Sequence, residues 1–136
     1  MFDNDTSFYR ELILDHAQNQ RNWGLLTPND FDHAESNPLC GDVLHLTLQL
    51  DAHGVIQSVG WAGHGCAISQ ASASLLGETL VGKTFAQVAA LRREDMLGLL
   101  GIPLTPNRMK CALLPLKTLL VGLVDQRHWE QVEDGE

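Results

Sequence analysis

The chain has 136 residues, 44% of them hydrophobic, enough for one domain with its own core spanning 1–136. Nine basic against seventeen acidic side chains leave a net charge of −8, which excludes gripping a nucleic-acid backbone as the main activity. The apolar runs are short and broken by Lys117 and Asp125, and Met1–Arg10 is acidic and polar, so neither a membrane span nor a secretory signal is expected.

A first helix is expected from about Asp5 to His16, capped by Asp5 or Thr6, with Phe8, Leu12 and Ile13 on its apolar face. Asn19–Leu26 reads as a loop, with Gly24 and Pro28 as breakers, and a short strand over Phe31–Ala34 is weakly signalled. Val43–Leu50 alternates strictly, with Leu44, Leu46, Leu48 and Leu50 on one face. Asp51–Gly54 is a turn signal, and Val55–Ala62 follows with Val55, Val59 and Trp61 on one face. Gly63-His64-Gly65-Cys66 is a tight loop before a helix over Ala67–Val81, whose small residues suit close packing on a sheet, with Gly82 closing it. Thr84 caps a further helix with Phe85, Val88, Ala89 and Leu91 inward. Met96–Leu100 is a short helical piece, and a last helix covers about Ala112–Asp125, leaving 128–136 as a frayed acidic tail. The order is that of an α+β fold, a small antiparallel sheet covered by helices. The charge is uneven: 1–82 carries −8, 83–127 carries +4 and the tail −4, which reads as a solvated surface or, more sharply, as a basic docking face near the third cysteine.

Three cysteines in a chain without a leader point to a reducing, cytoplasmic setting and leave at least one thiol to explain. In a simple hairpin centred on Asp51–Gly54, residues equidistant from the turn pair. Cys40 and Cys66 are nearly equidistant, so they are expected side by side, with Cβ atoms about 4.5–5.5 Å apart. Asp42 projects from the same end. Two thiols and a carboxylate make an incomplete tetrahedral site for a metal such as zinc. Cys66 also precedes a helix N-terminus, which favours a thiolate. Cys111 likewise precedes an expected helix and is one candidate for the fourth ligand; His64 is the other, though a solvated histidine is its plainer reading. A Cys–His protease using His64 as base ranks low, since no oxyanion hole is evident.

The segments Asn37-Pro38-Leu39-Cys40-Gly41-Asp42, Gly63-His64-Gly65-Cys66 with the small-residue run to Ser74, and Arg108-Met109-Lys110-Cys111-Ala112-Leu113 resemble those of SufU proteins in the IscU/NifU N-terminal-like family of iron–sulfur cluster assembly. Asp15-His16 and Arg21-Asn22-Trp23-Gly24 also look like that family's first-helix exit. The resemblance covers about 5–125. It implies a three-stranded antiparallel sheet with helices on one side and a metal site of Cys40, Asp42, Cys66 and Cys111. It further implies a zinc-dependent sulfur acceptor for a SufS-type cysteine desulfurase, passing sulfur to a downstream iron–sulfur scaffold or apoprotein. Cys40 is then the acceptor, and Arg108 matches an arginine kept near the site. Lys110 stands where IscU scaffolds carry histidine, as in SufU. The segment between Cys66 and Cys111 is shorter than in typical SufU and closer to IscU, Gln20 replaces a usual proline, and Pro115 is expected to delay the last helix until after Cys111. The alternative is a scaffold on which an Fe–S cluster is assembled at the same cysteines; thiolates suit both chemistries. A structural zinc site is the third reading, and an Asp ligand speaks against it.

Overall fold

Leucines on every second residue need a sheet face to bury them, and the chain supplies one. The computed structural model describes residues 2–135, with side chains from Ser7 onward. The elements run α1 (Phe2–Gln18), β1 (Phe31–Asn37), β2 (Asp42–Leu50), β3 (Ile56–His64), α2 (Ala67–Leu80), α3 (Phe85–Ala89), α4 (Arg93–Leu100), α5 (Pro106–Leu123) and α6 (Gln126–Glu133). The three strands form one antiparallel sheet in the order β1-β2-β3, so the α+β expectation holds. Leu44, Leu46 and Leu48 are fully buried with Val59 and Trp61 against Leu76, Leu80, Leu116, Leu119 and Leu120 of α2 and α5. The small-residue face of α2 permits this approach: a Cβ on Gly77 would lie 2.8 Å from the Trp61 indole nitrogen. The loop at 22–24 covers the open edge of β3, where Trp61 donates to the Asn22 carbonyl and accepts from Gly24. No helix among the described residues is long and apolar enough to cross a membrane.

The hairpin register differs from the one expected. A hairpin centred on the turn would set Leu48 opposite Gln57; Leu48 pairs with Val59 and Val43 with His64. The strands slide by two residues, which keeps the side chains from Ser58 to His64 on their expected faces. Val55 stays outside the strand, and an irregularity at Gln49/Leu50 sets Ile56 opposite Leu50. Ile56 therefore takes the buried place expected of Val55. β1 is longer than its weak signal suggested.

The helices also depart from expectation. α1 starts at Phe2, and the side chains of Asp5 and Thr6, its expected caps, lie outside the described residues. Phe8 is exposed, while Ile13 and His16 turn inward; Phe85 is likewise exposed where Val88 is buried. The cap at Thr84 is present as a reciprocal box with Gln87. α5 begins at Pro106, not after Cys111, because Thr105 caps it and proline suits its first turn. Pro115 sits inside this helix instead of delaying it, and the Cys111 carbonyl, four residues back, loses its usual helical partner. The acidic stretch expected to fray from 128 is helical as far as Glu133, and Trp129 and Val132 bury themselves in the core.

Candidate metal centre

Three segments bring the thiols together at one end of the molecule. Asn37 ends β1 and builds the turn to β2: its carbonyl accepts from the Cys40 and Gly41 N–H groups at 3.2 and 2.8 Å, and its Oδ1 accepts from Leu39 N–H at 3.2 Å. Cys40 rides exposed on this turn. Asp42, the first residue of β2, is buried beside it. Cys66 leaves β3 and caps α2, half-buried. Cys111 lies in the second turn of α5, buried with Ile68, Leu100 and Ala112. It does not precede the helix as expected.

The Cys40 and Cys111 sulfurs are 3.3 Å apart. With an Asp42 oxygen they form a group of donor atoms all within 4.8 Å of one another. Cys66 stands differently from the expected side-by-side pair with Cys40. Its N–H donates to Asp42 Oδ1 at 3.2 Å, and its sulfur turns to the Ser69 hydroxyl at 3.9 Å. It still lines, with Cys40, Cys111, Leu39, Asn107 and Arg108, a cleft of about 330 Å³. Arg108 is exposed there on the first turn of α5. His64 is exposed at the end of β3, outside the donor group. Among the described residues no histidine bonds to a cysteine, which leaves the Cys–His reading without support.

The electrostatics suit a cation. Burial pushes the Asp42 carboxyl up, but polar hydrogens of Cys40, Ser69, the Cys66 N–H and Cys111 outweigh it and hold the group below the ordinary carboxylate value. Its Oδ2 is nonetheless buried without a hydrogen-bond partner of regular geometry. Burial, then the neighbouring thiols of Cys40 and Cys66, pushes the Cys111 thiol far up. An orphaned carboxylate oxygen beside two sulfurs is a donor set that fits zinc. Gly65 makes room for it: a Cβ there would stand 2.7 Å from the Asp42 carboxyl carbon and 2.5 Å from Ser69 Oγ. The supporting roles of Asn37, Gly65 and Ser69 were not apparent from sequence; the Asn37-Pro38 pair before Cys40 is a turn signal that could have indicated the first.

The chain is similar to known proteins over most of its length. The profile of the NifU-like N terminal domain matches residues 8–131. The zinc-dependent sulfurtransferase SufU of Bacillus subtilis is 33% identical over 138 residues, covering 88% of this chain and 92% of that protein. The iron–sulfur cluster assembly scaffold protein IscU of Escherichia coli K12 is 29% identical over 122 residues, covering 88% and 94%. A candidate cluster assembly scaffold of the SUF system from Fervidobacterium islandicum superposes with a TM-score of 0.72 at 31% identity, over 83% of this chain and 94% of that one.

Proposed function

The chain belongs to the NifU-like N-terminal domain family, and we propose that it serves iron–sulfur cluster assembly as a zinc-dependent sulfur acceptor for a SufS-type cysteine desulfurase. The observation that carries this reading is the exposure of Cys40, on a turn, with its sulfur 3.3 Å from buried Cys111. Cys40, Asp42 and Cys111 would hold the ion, and Cys66 completes the set by rotating away from Ser69. Bound there, zinc supplies the charge that keeps the thiols as thiolates.

In the transfer, the Cys40 thiolate attacks the outer sulfur of the desulfurase persulfide. A sulfur–sulfur bond to Cys40 forms, the one to the desulfurase cysteine breaks, and that cysteine leaves as thiolate. Oxidation levels are conserved overall. Arg108 supplies positive charge at the cleft for the anionic persulfide, and the sulfur passes on to a scaffold or apoprotein. Asp42, a hard oxygen donor among sulfurs, is the most exchangeable ligand of the set.

The scaffold reading draws on the same donors: three thiols around a cleft of about 330 Å³ leave room for more than one ion. Elemental analysis of protein purified without added iron separates the two. The sulfur-acceptor reading expects about one zinc per chain and, after incubation with desulfurase and cysteine, a persulfide on Cys40 by mass spectrometry that Cys40→Ala lacks. Zinc below about a tenth of an equivalent with reduced thiols, or an undiminished response of Cys40→Ala, would overturn it.

A further inference from the structure

A second cleft, of about 270 Å³, lies between the end of β1 and helices α5 and α6. Trp129, Leu113 and Leu114, all buried, belong to its apolar lining. Lys110 and Lys117 bring two cations to it and Glu133 one carboxylate. Lys117 also meets Glu35 at 3.7 Å, whereas Lys110 is exposed and makes no ion pair among the described residues. Asn37 lines the cleft while only 7% exposed, and its Nδ2 has no hydrogen-bond acceptor. The amide cannot simply swap ends, because its Oδ1 is held by the Leu39 N–H. A buried donor without an acceptor is costly, and an incoming acceptor relieves the cost.

We infer that this cleft docks an acidic side chain of a partner protein, a Glu or Asp flanked by an apolar residue. A carboxylate brings acceptors and no donors, which is what Asn37 Nδ2 and Lys110 lack. Glu133 on the wall opposes a second negative charge, so a single carboxylate suits the cleft better than phosphate. Leu39, 69% exposed, is the shared rim of this cleft and of the cysteine cleft, and offers the flanking residue an apolar seat. Seven of the nine basic residues lie within 83–127, while the remainder of the chain is acidic. Lys110 and Lys117 are the two of these that line the cleft, so an acidic side chain meets two cations here on a chain that is acidic overall. The same Asn37 holds the turn that carries Cys40, so the docked group sits against the base of the thiol's own loop.

The test needs no desulfurase, so its outcome is separate from that of the sulfur-acceptor reading. The full chain, labelled with nitrogen-15, is titrated with acetyl-Leu-Glu-Leu-amide, acetyl-Leu-Gln-Leu-amide, butyrate and inorganic phosphate. The Glu peptide is expected to shift the Asn37 side-chain amide, the Trp129 indole N–H and the Lys110 amide saturably, and the Gln peptide to bind about tenfold more weakly. Lys110→Gln and Asn37→Asp should each weaken the Glu peptide by a similar factor; the Asp variant keeps the acceptor for Leu39 N–H and so preserves the turn. Equal binding of the two peptides, shifts confined to other residues, or no saturable shift at tens of millimolar peptide would overturn the inference. So would butyrate or phosphate binding as tightly as the Glu peptide, which would make the cleft a small-molecule site.

Discussion

Gly65→Ala probes how closely the fold cradles Asp42. Gly65 has no positive φ, so alanine meets no backbone strain there and the cost is steric alone. The added Cβ would lie 2.5 Å from Ser69 Oγ, 2.7 Å from the Asp42 carboxyl carbon and 2.9 Å from Oδ1, all inside van der Waals contact. Both neighbours are buried, so they can yield only by moving the β2 terminus or the first turn of α2. Overpacking of this kind costs about 1–3 kcal/mol, or roughly 3–12 °C in Tm for a chain of this size. The displaced carboxylate should also bind zinc about tenfold more weakly or worse, as when an outer-shell support of a ligand is lost. Gly98→Ala is the matched control: it lies inside α4 with nothing within 4 Å of its Cβ position, and should stabilise by about 0.5–1 kcal/mol. Thermal melts with chelator present, and zinc retention under chelator competition, read both effects. A Gly65→Ala protein that melts with the parent and holds zinc as tightly, while Gly98→Ala gains stability, would refute the cradle.

Trp129→Ala should cost about 3–5 kcal/mol in denaturant unfolding, because a 2% exposed indole pins α6 to the core; a loss below about 1 kcal/mol would mean that α6 is not docked. His16 is held below its ordinary value of 6.5 by burial first and the Arg21 charge second, against weaker pulls from Glu78 and Asp15. As pH falls the unfolded chain takes up this proton first, so stability is complete above about pH 6.5 and is lost progressively below it; His16→Gln should flatten that decline in urea midpoints between about pH 7.5 and 5.5, one unit either side of that value. Asp42→Cys should keep or tighten zinc under chelator challenge while lowering sulfur acceptance, and undiminished acceptance with tighter zinc would remove ligand exchange from the reading.

What the sequence determined by itself was local. The alternation of Leu44 to Leu50, the turn at Asp51–Gly54, the small-residue helix after Cys66 and the Thr84 cap are each set by a few neighbouring residues, and each stands in the structure where the periodicity or cap signal put it. The convergence of Cys40 and Asp42 was legible as well, though for an incomplete reason. The hairpin register came from a turn assumed to be tight, and the strands slide by two residues to accommodate the irregularity at Gln49/Leu50. With that slide Ile56, and not Val55, joins the core that the helices close across the sheet. The start of α5 at Thr105-Pro106 was missed because Pro115, which lies buried inside the helix, argued for a later start. Only the tertiary structure decided that Cys111 comes within 3.3 Å of Cys40, that Cys66 stands aside against Ser69, and that Trp129 turns an acidic tail into a wall of the second cleft. The first and the last of those relations join residues tens of positions apart, and they follow from how α2, α5 and α6 bury the sheet's apolar face.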